Sequence, residues 1–211
     1  MSPTTGRRRT RPRLRLPTGT ARLVLREFVA ADETALIAWS CDERVTRHMP
    51  FGPRDAEGAK RHLATLLRQQ SSASRDSWEL AVTLADGGGA IGACEISLTS
   101  RTTAEIGYVL ARRHWGHGYA TELARALARL AFEELGVERV DSTVDVANVR
   151  SMQVLEKAGL RWEGMQRRHA RSRGRWWDAH LYSVSRDDWD HAGVSALAPA
   201  GGQPTSSPRE R

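Results

Sequence analysis

Hydrophobic and polar residues follow two different periods along this chain. Alternation over a short run predicts a β-strand, and recurrence every three or four positions predicts an amphipathic helix. Alternation predicts strands over residues 22–29, 78–84, 90–98, 104–110, 139–144, 160–167 and 176–184. Helical spacing predicts helices over residues 54–73, 121–134 and 148–158, and one more that is capped by Asp32 and directs Leu36, Ile37 and Trp39 inward.

The order of these elements predicts a mixed α/β fold. Residues 86–89 read Asp-Gly-Gly-Gly and are expected to form a hairpin between two strands. A short turn or helix is expected up to Met49, before the proline- and glycine-containing break at 50–53. The later strands are separated by helices, so we expect hairpins on one side of the sheet and crossover connections on the other.

Positive charge is concentrated at the two ends of the chain. The formal net charge at pH 7 is +7, but residues 1–17 contain six arginines and no acidic residue. Residues 192–211 add a further +1, which leaves residues 18–191 close to neutral. We therefore predict disordered tails over 1–17 and 192–211 and a single domain over 18–191. Affinity for nucleic acid is expected only through the arginine-rich tail.

The composition also argues against a membrane or secreted protein. There is no run of ~18 apolar residues that could span a bilayer, and no apolar segment follows the basic N-terminus as in a secretory signal. The only cysteines, Cys41 and Cys94, do not have the spacing of metal ligands. Two such thiols without an export signal favour a reducing compartment, so the predicted location is the cytoplasm.

The segment that says most about function is a glycine-containing turn at residues 113–120, which reads Arg-His-Trp-Gly-His-Gly-Tyr-Ala. It lies between a predicted strand and a predicted helix, an arrangement that binds phosphate through free N–H groups and the helix dipole. A Walker A loop is excluded because no lysine lies near Gly118. A dinucleotide fingerprint is excluded because Thr121 occupies the position of its third glycine.

Two blocks of sequence resemble the GNAT superfamily of N-acetyltransferases. The pattern Arg-x-x-Gly-x-Gly after the strand Glu-Ile-Gly-Tyr is similar to the family's pyrophosphate loop. Residues 148–160, with Asn-x-x-Ser and Glu-Lys-x-Gly-Leu followed by Glu163 and Gly164, resemble the second acetyl-CoA segment of the RimJ/RimL branch. The resemblance implies a GNAT fold, which is a mixed, mostly antiparallel sheet flanked by helices, with two strands that splay apart at the acetyl-CoA site.

The resemblance also implies which residues bind acetyl-CoA. Backbone N–H groups from His114 to Ala120 would hold the pyrophosphate, and a strand N–H near Val109 or Leu110 would face the thioester oxyanion. Asn148 would hold the pantetheine amide, cap the following helix, or do both. The complete expected set is Tyr108, Val109, Leu110, Arg113, His114, Trp115, Gly116, His117, Gly118, Tyr119, Ala120, Asn148 and Ser151.

Several side chains of the turn have alternative interpretations. Arg113 either reaches a phosphate or pairs with a surface acid, and Trp115 is expected to pack beside the turn. His114 and His117 are expected to be exposed, because no carboxylate or thiol completes a metal site with them. No metal is therefore predicted.

The candidate catalytic residues are Glu105, Ser151 and His169. Glu105 is either a base acting through water or a structural hydrogen-bond acceptor. Ser151 is expected to orient the leaving thiol more than to protonate it, because a thiol pKa of ~8.5 requires little help near neutral pH. Some RimJ/RimL relatives are thought to use a carboxylate after the Glu-Gly pair, but residues 167–170 read Arg-Arg-His-Ala here. His169 is a possible substitute, and Glu95 and Asp178 are further candidates.

The absence of a clear base favours an amine of low pKa. An N-terminal α-amine has a pKa of ~7.7–8.0, whereas that of a lysine side chain is ~10.4, so the α-amine needs less help to lose its proton. The predicted amine substrate is a protein N-terminus of the ribosomal-protein type. A small-molecule amine and a non-catalytic acyl-CoA-binding module remain open, as do monomer and homodimer. Arginines near the last hairpin either steer an acidic substrate or form a solvated surface: Arg161, Arg167, Arg168, Arg171, Arg173 and Arg175.

Overall fold

The structure is a computed structural model of the 211-residue chain. It describes residues 14–72, 75–172 and 174–191. The predicted tail 192–211, most of the predicted tail 1–17, and Arg173 lie outside the described residues, as does the side chain of Arg175.

The described strands form one sheet. In chain order they are β1 (Thr18–Gly19), β2 (Leu23–Arg26), β3 (Ser77–Leu84), β4 (Gly92–Leu98), β5 (Thr103–Leu110), β6 (Arg139–Asp145), β7 (Arg161–Ser172) and β8 (Arg175–Ser185). Their order in space is β1-β2-β3-β4-β5-β6-β8-β7. Neighbours are antiparallel except for β5 and β6, which are parallel. The predicted mixed, mostly antiparallel sheet is therefore confirmed.

Helices lie on both faces of this sheet. They are α1 (Glu33–Ser40), α2 (Glu43–Thr46), α3 (Ala56–Gln69), α4 (Tyr119–Leu130), α5 (Val149–Ala158) and α6 (Arg186–His191). After α4 the chain makes a π-helical turn at Ala131–Leu135 before Gly136 ends it at φ +69°. The sequence pattern predicted α1 and α3 to α5 but not α6, which is short and mostly polar.

Two hydrophobic cores hold the layers together, one on each face. The larger contains sheet residues such as Ile96 and Ile106 with Leu123 and Leu127 of α4. The smaller packs α1 and α3 against the opposite face and contains Phe28, Leu36, Trp39, Leu63 and Ala81. The larger core contains side chains of α4 and α5, and the smaller core contains side chains of α1. Both faces of the sheet are therefore covered by helices.

Two details at the N-terminal side differ from the sequence analysis. Asp32 does not cap α1 with its side chain. Its buried carboxylate instead accepts hydrogen bonds from both terminal nitrogens of Arg26, at 2.7 and 2.8 Å, and from the Val29 N–H. Burial by itself would raise the pKa of Asp32, but these hydrogen bonds and the charge of Arg26 outweigh it and lower that pKa. Leu14 and Leu16, which fall within the predicted tail 1–17, pack against the larger core.

The parallel neighbours β5 and β6 separate soon after they begin. They pair only at Thr103–Arg139, Ala104–Val140 and Glu105–Asp141. The buried Ser142 hydroxyl donates to the Ile106 carbonyl at 3.0 Å, just beyond the last paired position. Within the described ranges, the remainder of β5 has no strand partner on this side, which produces the expected splay.

Candidate functional site

A cleft of about 620 Å³ opens where β5 and β6 separate. Its walls come from the end of β5, the glycine-containing turn, the N-terminal part of α5 and the segment around α2. The lining residues that the sequence analysis had named are Tyr108, Val109, Leu110, His114, Trp115, Gly116, Gly118, Tyr119, Ala120, Asn148 and Ser151. Arg113 and His117, which were expected in the same set, do not line this cleft.

The glycine-containing turn presents backbone N–H groups to the cleft. Gly116 and Gly118 have φ values of +80° and +79°, a conformation that strongly favours glycine, and Gly118 directly precedes α4. Among the described residues, no acceptor pairs with the N–H groups of residues 116–120. The N–H groups of His114 and Trp115 donate instead to the carbonyls of Ala111 and Arg112. Of the amides predicted to hold the pyrophosphate, His114 to Ala120, the first two are therefore already bonded within the protein.

Side chains hold the turn in place. The Trp115 indole N–H donates to the Leu110 carbonyl at 2.7 Å, which ties the turn to the end of β5. Arg22 donates to the His117 carbonyl at 3.0 Å and pairs with Glu122 in the first turn of α4. Its guanidinium also lies 4.8 Å from the Tyr119 ring. The carbonyl side of the turn is thus bonded to protein while its N–H side faces the cleft.

The ionisable side chains around the turn are mostly engaged with one another. Partial burial by itself would raise the pKa of Glu122, but hydrogen bonds from Thr20 and Arg22 outweigh it and lower that pKa. Glu122 therefore stays ionised and paired with Arg22. Burial, followed by the neighbouring Arg113 and His117, lowers the pKa of His114. The Arg113 Nε donates to His114 Nε2 at 2.9 Å, so Arg113 is turned to its neighbour and pairs with no described acid. His117 stacks on Tyr119 at 5.6 Å outside the cleft.

The end of β5 offers its backbone to the opening. Ala111 donates to the Ile91 carbonyl on the β4 side. Because successive residues of a strand point their N–H groups to opposite edges, the Leu110 N–H faces the open side. The approach to β4 is close: a Cβ at Gly92 would lie 2.1 Å from the Val109 carbonyl oxygen. Glycine at this position lets the end of β5 lie close to β4.

The first turn of α5 completes the cleft. The Asn148 side-chain oxygen accepts from the Ser151 N–H at 3.2 Å, so Asn148 caps the helix as one of its two expected roles. The Ser151 hydroxyl lies 2.9 Å from the Tyr108 hydroxyl across the cleft. Burial raises the pKa of Tyr108 to about 12, against a smaller opposite effect of this hydrogen bond. Tyr108 therefore stays protonated and can donate.

The candidate bases lie away from the cleft. Glu105 accepts from the Thr143 hydroxyl at 2.7 Å at the last paired position of β5 and β6, and it does not line the cleft. This placement matches the structural alternative. His169 is exposed on β7, with its ring 5.5 Å from that of Trp177, and also lies outside the cleft.

The two further candidate carboxylates are bonded elsewhere. Asp178 accepts from the Arg168 N–H at 2.7 Å, and Glu95 accepts from the hydroxyls of Ser77 and Ser97. Neither lines the cleft.

The sequence analysis missed the contribution of the α2 segment. Arg44, Val45, His48 and Met49 also line the cleft. His48 Nδ1 lies 2.8 Å from Asp145 Oδ2, although the two residues are 97 positions apart. Neither residue belongs to the two motifs, and no local pattern in the sequence signals their contact. Lys157, Gln153 and Arg150 on α5 also line the cleft.

Other features of the described residues bear on the remaining predictions. No helix in the described ranges is long and apolar enough to cross a membrane. Within the same ranges no group of three or more His, Cys, Asp or Glu side chains is placed to hold a metal ion. Cys94 is buried and both cysteines are free. The absence of a metal and the cytoplasmic location stay predictions.

Comparison with known proteins agrees with this geometry. Residues 22–161 match the family model described as Acetyltransferase (GNAT) domain. The uncharacterized N-acetyltransferase YnaD of Bacillus subtilis is 28% identical over 172 residues, covering 81% of this chain and 98% of YnaD.

Solved structures give the same picture. A GNAT-family acetyltransferase from Bacillus anthracis superposes with a TM-score of 0.70 at 25% identity, covering 80% of this chain and 98% of the other. Mycobacterium smegmatis RimJ, solved with CoA-disulfide, superposes with a TM-score of 0.69 at 22% identity, covering 85% and 96%.

Proposed function

The chain belongs to the GNAT family of acetyltransferases, and from this premise we propose that it transfers the acetyl group of acetyl-CoA to a protein N-terminal α-amine. The observation that carries the proposal is the cleft between β5 and β6. It joins free amides at a helix N-terminus to an unpaired strand edge and a pair of hydroxyl groups. A phosphate, an extended amide-containing arm and a thioester would each find matching groups there.

The residues present fit acetyl-CoA. The N–H groups of residues 116–120 at the start of α4 suit a pyrophosphate, since a helix N-terminus favours anions. The unpaired edge of β5 can bond an extended pantetheine arm as a strand would. The Leu110 N–H then faces the thioester oxygen, where a backbone donor stabilises the developing negative charge by a few kcal/mol in other enzymes. Asn148, which caps α5 through its oxygen, keeps its amide N–H groups for the same arm.

The hydroxyl pair has a separate task. Tyr108 and Ser151 lie beside the strand edge, 2.9 Å apart. Because burial keeps Tyr108 protonated, Ser151 can accept from Tyr108 while its own proton points to the departing sulfur. The family resemblance predicted a role for the Ser151 side chain, whereas it predicted Tyr108 only as part of the cofactor-binding strand.

An α-amine is the substrate that best suits this site. Neither Glu105 nor His169 lines the cleft, and the two histidines that do, His48 and His114, are of a residue type whose ordinary basicity is closer to that of an α-amine than to that of a lysine amine. An amine with a pKa of ~7.7–8.0 is neutral in about one molecule in ten near pH 7, whereas a lysine amine is neutral in far fewer. Both the family membership and the structural similarity to RimJ are consistent with an amine on a protein.

The experiment compares amines at fixed acetyl-CoA and measures released thiol. Peptides that carry a free N-terminus are assayed beside the same peptides with a blocked N-terminus and an internal lysine, and beside a panel of small amines. We expect turnover with the free N-terminus and little with the blocked peptide. Turnover confined to small amines would contradict the protein substrate, and the absence of turnover with every amine would contradict the enzymatic proposal.

A further inference from the structure

Two pairs of a histidine and a carboxylate have similar geometry in the described part of the chain. His48 Nδ1 lies 2.8 Å from Asp145 Oδ2, and His62 Nε2 lies 2.8 Å from Glu79 Oε1. The side chains of both pairs are between 19% and 26% exposed. Their positions differ, because His48 lines the cleft while His62 and Glu79 lie between α3 and β3, outside it.

Asp145 is held so that it orients the His48 ring. Its second carboxylate oxygen, Oδ1, accepts from the Ala147 N–H at 2.9 Å, and its carbonyl accepts from the Asn148 N–H at 2.8 Å. The turn that positions Asp145 is thus the turn that positions the cap of α5. A carboxylate beside Nδ1 selects the tautomer with a proton there, which leaves Nε2 as an acceptor. Among the described residues Nε2 has no hydrogen-bond partner.

We propose that His48 is the general base of the acetyl transfer and that Asp145 is its positioning residue. This inference rests on the proposed function. Nε2 takes one proton from the substrate ammonium and passes it to solvent, and the amine nitrogen then attacks the thioester carbonyl carbon. The C–S bond breaks, and the nitrogen gives up a second proton as the sulfur gains one. Acetyl-CoA and the ammonium thereby yield an amide, CoA thiol and one released proton.

The charges around His48 suit removal of a proton from the amine. Besides Asp145, the charged side chains at this mouth of the cleft belong to four arginines, which line an adjoining groove of about 510 Å³ together with His48: Arg44, Arg47, Arg112 and Arg150. None of them forms an ion pair with a described residue. Like charges disfavour an ammonium and favour the neutral amine, so a substrate that enters here loses its proton more easily than it does in water.

The primary variant is His48→Asn. Its side-chain amide can still donate to Asp145 from the position of Nδ1, but it has no equivalent of Nε2. We expect kcat to fall about 100-fold, within the range that general bases contribute, while calorimetry shows an acetyl-CoA Kd within about twofold of the unsubstituted chain. The rise of kcat with pH on the acid side should flatten in the variant, because the group that must lose a proton is gone.

Matched variants separate a base from a structural histidine. His62→Asn removes a histidine–carboxylate pair of equal length outside the cleft and should leave kcat unchanged. Asp145→Asn should lower kcat about tenfold, and combined with His48→Asn it should cause no further loss, because the two side chains act as one unit.

Each outcome decides the matter. Turnover by His48→Asn at the unsubstituted rate, or an unaltered pH profile, would overturn the inference while leaving the proposed function intact. If His48→Asn no longer binds acetyl-CoA, His48→Gly takes its place with and without added imidazole, and failure of imidazole to restore turnover overturns the inference. Absence of turnover by the unsubstituted chain with every amine overturns the proposed function and this inference together.

Discussion

The two edges of β6 behave differently, and the difference locates the site. On one edge β6 pairs with β8 along its whole length, from Arg139 opposite Ser185 to Asp145 opposite Ala179. On the other edge it pairs with β5 at only three positions before the strands separate. The two edges belong to the same seven-residue strand, so the separation does not reflect a lower strand propensity of β6 itself.

The separation leaves backbone groups of β5 without a strand partner. Buried N–H and C=O groups without partners are costly, and folded proteins rarely leave them so. At the closed edge the ladder satisfies them, whereas at the open edge water or a ligand must do so. The open edge is therefore the part of the sheet that gains most from binding an extended, amide-containing molecule, and the predictions below test this contrast.

Blocking the open edge at the glycine-containing turn should have the largest effect. Gly118→Trp places a bulky side chain at a left-handed position beside the free N–H groups. We expect acetyl-CoA affinity measured by calorimetry to fall by more than about 100-fold, or ~2.7 kcal/mol. Gly87→Trp is the control, because Gly87 also has a positive φ, +104°, but lies in the hairpin turn with open space around it. Equal losses in both variants would show that backbone strain, and not the turn, is responsible.

Weakening the closed edge should reduce stability and leave binding intact. Val184 on β8 is buried opposite Val140 of β6. Val184→Ala removes two buried methyl groups, so we expect the free energy of unfolding in urea to fall by about 2 kcal/mol. Acetyl-CoA affinity should stay within about twofold. Val149→Ala, at an exposed position, is the control for stability. A binding loss with Val184→Ala beyond tenfold would argue that the two edges are not independent.

The smallest expected effect concerns pH and the hydroxyl pair at the open edge. Burial raises the pKa of Tyr108 to about 12 in the folded chain, whereas an unfolded tyrosine titrates near ~10. Since the folded pKa is the higher one, this stabilising contribution is complete below pH ~10 and is lost as the pH rises to ~12. Relative to Tyr108→Phe, the chain should lose about 1.4 kcal/mol of unfolding free energy between pH 8 and pH 11. Parallel pH curves for the two proteins would contradict the buried hydroxyl.

Local sequence determined much of this protein. The hydrophobic periods predicted α3, α4 and α5 and the strands from β3 onward closely, except that β7 continues five residues past its predicted end at residue 167. These patterns are set by which side of one element faces a core, so they can be seen within that element. The glycines of the turn and the cap at Asn148 are also local devices, which require only their neighbours in the chain. The two motifs therefore indicated the family, the fold and most of the cleft before any contact was known.

The tertiary structure alone decided where β5 and β6 separate, which amides remain free, and which side chains outside the two motifs line the cleft. His48 and Asp145 meet across 97 positions of sequence, and Glu105, which the motif suggested as a base, turns instead to Thr143. Such contacts depend on how whole elements pack, and neither hydrophobic period nor motif spacing encodes the distance between residues on different elements. Local chemistry thus specified the kind of site, and long-range packing specified which side chains face it.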